Sequence, residues 1–334
     1  MNALELVGLA MLGSLTLYVL LGGVDFGGGV WDLLASGPRK RQQRALIEGV
    51  ISPVWEVNHI WLILLIVLLF TCFPHGFAVI STALHVPLTL MLVGIVLRGA
   101  AFAFRQYDDR RDEVQRRWGR VFAMASVVTP IFLGVCLGAI TGGEIRVRGD
   151  VVVSGFFRPW LALFPFACGL LTLALFAFLA ATYLTNETDD VALREDFRRR
   201  AIASGVVVGV AAGLAGLTAG AKARAFSGDL FGSPWSAALQ LATAAAAVGA
   251  LVALGTRRFQ LARVAAIAQA VLIVSGWALA QYPYLVTPDV TLADAAAPEG
   301  TLAAVLVTLG VGTLLLVPAL VWLMKVFRLR KREG

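Results

Sequence analysis

Two carboxylates stand where hydrocarbon would surround them. Glu56 lies in Ser52-Pro53-Val54-Trp55-Glu56-Val57-Asn58-His59-Ile60-Trp61, which runs directly into the almost wholly apolar stretch 62–73. Asp25 lies in Gly22-Gly23-Val24-Asp25-Phe26-Gly27-Gly28-Gly29. Chains seldom keep an acid at such a place without a partner or a task. Glu56 is about twelve residues past Arg44, roughly 18 Å of helix, and Asp25 about fourteen before Arg39, roughly 21 Å. Both therefore reach similar depth from the same basic edge, on consecutive helices. Burial favours the protonated form of a carboxyl group, and a pair so placed is suited to relaying protons. The alternative is structural: a carboxylate that balances Arg98 or satisfies a helix end.

The neighbours bear on both readings. Asn58 and the indole N–H groups of Trp55 and Trp61 are polar and need partners at this depth. His59 follows Trp55 by four residues and Glu56 by three, so it can share their face. Pro53 is expected to kink the helix and free a carbonyl near Glu56. Arg98 and Arg105 stand seven apart, two turns along one face. They either snorkel to headgroups, or Arg98 reaches Asp25 or Glu56. The five glycines around Asp25 permit close helix approach or a local unwinding. They lack the following Lys-Ser/Thr that a phosphate loop needs.

Other chemistries are poorly served. The three histidines, His59, His75 and His85, offer no paired spacing on one helix, so no haem ligation by this chain is expected. Cys72, Cys136 and Cys168 lie in apolar segments, odd in number and far apart, which argues against disulfides and against a metal site.

These residues sit in a chain of 334 residues, 59% hydrophobic and only 15% charged. Apolar stretches of about 18 or more residues recur, each long enough to span a bilayer. The fold class expected is all-α: a polytopic membrane protein forming one integral membrane domain over residues 1–334. Nine spans are expected, near Leu4–Leu34, Ala45–Phe73, Phe77–Phe104, Val121–Ile140, Trp160–Leu184, Ala201–Ala219, Trp235–Leu254, Ala262–Ala280 and Leu302–Phe327. Two four-helix bundles plus a last helix is the arrangement expected, though no internal repeat is visible. The first segment has no basic n-region and runs too long for a signal peptide, so a retained helix is expected.

The net charge of +7 does not point to nucleic acid, because the basic residues fall between the hydrophobic stretches. Alternate connections hold 23 of the 28 lysines and arginines, leaving Arg146, Arg148, Arg158, Lys222 and Arg224 on the opposite side. The positive-inside rule then sets the amino terminus outside and the carboxyl terminus in the cytoplasm. The outer connection Tyr282–Thr301, with Pro283, Pro288 and Pro298, is expected to form an ordered, irregular cap.

Four pieces of the sequence resemble subunit II of the cytochrome bd family of quinol oxidases. They are Gly23-Val24-Asp25-Phe26-Gly27; Pro53-Val54-Trp55-Glu56 with Asn58 and Trp61, leading to Phe73-Pro74; Leu97-Arg98-Gly99 through Phe104-Arg105; and Tyr282-Pro283-Tyr284-Leu285-Val286 with Thr287-Pro288. Their order and spacing extend the resemblance over essentially the whole chain. The segment Tyr282–Gly300, with Asp294-Ala295-Ala296-Ala297-Pro298, looks closest to the cyanide-insensitive branch.

The resemblance implies a haem-free subunit in the bacterial cytoplasmic (inner) membrane. Its partner, subunit I, would carry the haems b and d and the quinol site. Membrane lipid, quinone and a small accessory subunit are further partners it allows. It also implies a share in the cytoplasmic proton route, with Trp55, Glu56 and Asp25 matching the family's polar positions there. The chain departs from the family pattern in three places. Glu56 stands where aspartate is usual, Gly22 where a second acid is frequent, and His59 where an amide is common. A proton-coupled transporter using the same acids, and a scaffold with inert carboxylates, are the rival readings.

Overall fold

Helix ends are written into the chain locally. In the computed structural model, which describes residues 2–107 and 112–333, helix α1 (Ala3–Leu33) opens with a capping box between Asn2 and Glu5. Side chains at 52–54, 56, 105–107, 112–116, 221–222, 224–225, 317, 320–321 and 323–333 lie outside the description. Helices α2 (Lys40–Cys72), α3 (Pro74–Ala83), α4 (His85–Tyr107) and α5 (Asp112–Thr141) follow. After the hairpin β1 (Val147–Arg148) and β2 (Val151–Val152) come α6 (Leu163–Leu184), α7 (Val191–Lys222), α8 (Arg224–Gly232), α9 (Ser236–Gly255) and α10 (Phe259–Gln281). A second hairpin, β3 (Tyr284–Val286) and β4 (Val290–Thr291), leads through α11 (Leu292–Ala295) to α12 (Glu299–Glu333). Asp190 caps α7, its side chain accepting from the N–H groups of Ala192 and Leu193.

Among the described residues eight helices are long and apolar enough to cross a membrane, and a bent pair, Val57–Cys72 with Pro74–Ala83, makes a ninth candidate. That pair turns through 116°. The expected third span, Phe77–Phe104, is therefore corrected: its first turns belong to α3, and the crossing helix starts at His85. The physical reason lies in Phe73-Pro74. Proline disfavours helix in the residue before it but suits the first position of a new one, and Pro74 begins α3.

Helices α1, α2, α4 and α5 form one group around Asp25, and α6, α7, α9 and α10 form another, with α12 lying on α1 and α2. Helix α6 joins the groups, packing on α1, α5, α7 and α10. Its Phe176, Phe178, Ala180 and Ala181 are buried to the last atom or nearly so. The close approach is made by glycine. A Cβ at Gly27 would lie 2.0 Å from the Phe176 carbonyl oxygen, and one at Gly29 would lie 2.1 Å from Ser126 Oγ. The glycine cluster thus serves packing, and α1 runs unbroken through Asp25 instead of unwinding there.

The end bearing the basic clusters is tied by Asp196 on α7, which accepts from Arg39 Nε (2.8 Å), Arg39 Nη2 (2.6 Å) and Gln43 Nε2 (2.9 Å). The other end carries a cap. Asp289 accepts from Arg146 Nε and the Val147 N–H, both at 2.8 Å, and so joins the two hairpins. Main-chain bonds from Thr287 N to Ile140 O (3.0 Å) and from Ala297 N to Cys72 O (2.8 Å) fasten the cap to α5 and α2.

Two expectations follow. Gly27→Ala should destabilise the chain by about 1–3 kcal/mol, because the added methyl meets backbone that cannot move aside. Gly8→Ala, where nothing lies within 4 Å, should not, and thermal unfolding of the two variants in detergent makes the comparison. Partial burial pushes the Asp289 carboxyl up, but the bonds from Arg146 and the Val147 N–H outweigh it and hold the group below its ordinary value. A depressed folded value means that the clamp contributes above the unfolded carboxyl's pKa of about 3.9 and is lost as pH falls through the folded value. Protease cleavage of the 146–153 hairpin should therefore rise only at strong acidity in the natural chain, and already at neutral pH in Asp289→Asn.

Candidate functional site

Four helices each contribute one polar side chain to a single buried point. Asp25 comes from α1, Asn58 from α2, Arg98 from α4 and Ser126 from α5. Asp25 is 0% and Arg98 1% exposed. The guanidinium holds the carboxylate bidentately, Nη1 to Oδ2 and Nη2 to Oδ1 each at 2.5 Å, and Nη2 also donates to the Asp25 carbonyl at 2.9 Å. Its Nε donates to Ser126 Oγ at 2.9 Å, and that hydroxyl donates to the Phe122 carbonyl at 2.7 Å. Asn58 Nδ2 supplies a further bond to Asp25 Oδ2 at 2.7 Å. The Arg98 carbon Cζ lies 4.6 Å from the ring centre of Phe26 and 4.7 Å from that of Phe122, within cation–π range.

A planar fork of donors matched to a carboxylate is the arrangement in which arginine binds most strongly. Both charges are compensated at contact, as burial requires. Asp25 and Arg98 thus form a contact ion pair, a pairing that the sequence left open.

Several buried polar groups, Tyr18 and Asn58 beside this pair among them, are incompletely bonded. Tyr18 Oη, Asn58 Oδ1, Trp61 Nε1 and Thr129 Oγ1 are buried without a hydrogen-bond partner. A Cβ at Gly22 would come within 3.5 Å of the Tyr18 ring and 3.7 Å of Asn58 Oδ1, so Tyr18 and Asn58 face the same small space beside α1. Buried polar groups of this kind are usually satisfied by ordered water.

The remaining candidates surround the pair unevenly. Trp55 packs on His59, edge to face with ring centres 5.9 Å apart, and on Phe102 at 5.6 Å. His59 Nδ1 lies 3.1 Å from the Trp55 carbonyl oxygen. The side chains of Glu56 and Arg105, and that of Pro53 with its expected kink, lie outside the described residues. Sequence reasoning missed Tyr18, Ser126, Phe26 and Phe122. Tyr18 was within reach, since it precedes Asp25 by seven residues on the same helical face. Ser126 carries no signal, as only packing brings α5 to Arg98.

For haem the donor set does not fit. His59 Nδ1 lies beside the Trp55 carbonyl oxygen, His85 Nδ1 2.9 Å from that of Thr82, and His75 3.6 Å from Asp150, so each is engaged by a different partner. Among the described residues no group of three or more His, Cys, Asp or Glu side chains is gathered to hold a metal ion.

Comparison with known proteins agrees over almost the whole chain. The family model described as cytochrome bd terminal oxidase subunit II matches residues 4–327. The chain is similar to the putative cytochrome bd menaquinol oxidase subunit II of Bacillus subtilis (strain 168), 24% identical over 332 residues, 96% of this chain and 94% of that protein. The cytochrome bd-I ubiquinol oxidase subunit 2 of Escherichia coli (strain K12) is 26% identical over 187 residues, 55% of this chain and 47% of that protein. The structure of bd oxidase from Geobacillus thermodenitrificans contains a chain that superposes with a TM-score of 0.81 at 24% identity. The match spans 97% of this chain and 98% of that one, and the two share a fold.

Removing one member of the buried pair should cost about 3–5 kcal/mol, because the other is left as an unpaired charge. Arg98→Ala and Asp25→Ala are each expected to lower the unfolding temperature and yield sharply. The double variant Asp25→Leu/Arg98→Met should lose less than either, and thermal unfolding of the three variants makes the comparison.

Proposed function

The chain belongs to the cytochrome bd terminal oxidase subunit II family, and on that footing we propose how it serves the quinol oxidase of which it is a subunit. It is a membrane-embedded scaffold that packs along subunit I and handles protons for oxygen reduction. We place the haems b and d and the quinol site in subunit I, where they supply the redox chemistry when bound. The three histidines of this chain, each engaged apart from the others, support that division. The amino terminus is placed outside and the carboxyl terminus in the cytoplasm of a bacterial inner membrane, on the alternation of basic connections.

Within the proton route we assign Glu56 the role of carrier and Asp25 that of fixed anion. The observation that carries this division is the bidentate Arg98–Asp25 contact. A carboxylate with both oxygens engaged by a guanidinium and one also by Asn58 suits a counter-charge better than a relay. Asn58 bonds to Asp25 and leaves its own carbonyl oxygen for water. Tyr18 and Trp61 add two further polar atoms without partners. Together these groups favour a small hydrated space beside a charge-balanced pair. Trp55, His59 and Phe102 pack the adjoining face and limit entry of bulk water.

The test is Glu56→Gln in the intact complex. General acid–base groups contribute on the order of 100-fold or more to rate. Oxygen consumption and proton uptake should therefore fall at least tenfold, with haem content and unfolding temperature unchanged, and Glu56→Asp should retain most of the rate. Unchanged turnover and proton uptake in Glu56→Gln would remove the carrier role.

A further inference from the structure

Three of the five basic residues that break the charge alternation, Arg146, Arg148 and Arg158, line one cavity of about 510 Å³ at the hairpin end. Basic residues are disfavoured on that side of a membrane protein, so their gathering calls for a local reason. Two of the three have carboxylate partners lining the same cavity: Arg146 pairs with Asp289 at 2.8 Å and Arg158 with Glu144 at 2.8 Å. Arg148 is exposed and, among the described residues, has no carboxylate partner. The lining thus holds three guanidiniums against two carboxylates. Ser154 also lines it, and its Oγ is buried without a hydrogen-bond partner.

The cavity has an apolar flank. Phe156 is 66% exposed and Phe157 57%, with Leu161 and Leu163 exposed below them at the start of α6. Phe156 stands edge to face on His85 at 5.4 Å, and Phe157 lies 5.9 Å from the ring of Trp160. Aromatic side chains beside arginines mark the level at which headgroups meet acyl chains. Helix α6 is one of the membrane-spanning candidates, and Leu163 and Leu170 on its first turns are exposed.

We propose that this cavity is a binding site for an anionic phospholipid. Its phosphate is held by Arg148, the guanidinium left without a carboxylate. Its acyl chains descend over Phe156, Phe157 and Leu161. Guanidinium is the side chain best matched to phosphate oxygens, and the excess positive charge selects an anionic headgroup over a zwitterionic one. The site holds the β1–β2 hairpin against the membrane. The leaflet it occupies, and the scarcity of basic residues expected on that side, rest on the proposed orientation; the cavity and its unpaired guanidinium do not.

The experiment uses the intact, delipidated complex in neutral detergent, with phosphatidylglycerol, phosphatidylcholine or inorganic phosphate added, read by native mass spectrometry and thermal unfolding. Expected are retention of phosphatidylglycerol and a rise in unfolding temperature. Arg148→Gln should weaken retention roughly tenfold or more, the loss of a bond to a charged group, and Arg148→Lys should fall between. Arg148 is exposed, so the variants should fold, and their oxygen consumption in detergent should match that of the natural complex. Equal retention in Arg148→Gln, an equal response to phosphatidylcholine, or stabilisation by inorganic phosphate alone would each overturn the lipid site. So would failure to retain any lipid, the result expected if the partner subunit covers the cavity. None of these readouts depends on proton uptake, so failure here and failure of the Glu56 assignment are separable.

Discussion

A guanidinium and a carboxylate enclosed by hydrocarbon cannot be left apart, and much of the first helix group is arranged to keep them together. The idealised cost of moving one such ion into a medium of low dielectric is of order 20 kcal/mol. Contact between Arg98 and Asp25 removes most of that cost only if the fork and the carboxylate stay aligned. Alignment requires α1 and α4 to hold a fixed rotation and height. The bond to Ser126 draws in α5, and the bond from Asn58 draws in α2. One pair thus sets the register of four helices, in a solvent where apolar burial alone discriminates weakly between registers.

The glycines beside Asp25 belong to the same constraint. Gly27 faces the Phe176 backbone and Gly29 faces Ser126, on opposite neighbours of α1. Their missing side chains bring α1 close to α6 and α5, and so bring Asp25 to the point that Arg98 reaches. A larger residue at either place would push the helix away and stretch charged bonds that tolerate little stretching. Packing and electrostatics are therefore coupled at α1.

Polar clamps at each end complete the frame. Asp196 ties the start of α2 to α7 at the basic end, and Asp289 joins the two hairpins at the other. Between them, exposed apolar side chains on α2, α4 and α12, among them Ile63, Phe70, Val96 and Leu314, leave a broad surface free for lipid or a second subunit. Membership of a bd oxidase complex implies subunit I as a partner.

Much of this was legible beforehand. Composition and the recurrence of long apolar stretches determined the all-helical membrane class, since only helices satisfy their own backbone over such lengths without water. The same reading marked Asp25, Asn58 and Arg98 as polar groups in need of partners, because a polar atom in hydrocarbon is conspicuous from its neighbours alone. The partners themselves depend on helix rotation and on which helix lies beside which. That Arg98 meets Asp25, that Ser126 on a distant helix completes the guanidinium's bonds, and that Phe26 and Phe122 line it were decided by tertiary packing. So was the path after Phe73-Pro74: the sequence ended a span there, but only the fold shows that Pro74–Ala83 is a separate short helix and that the next crossing starts at His85. Local sequence records what each residue requires; only the assembled helices determine which neighbour supplies it.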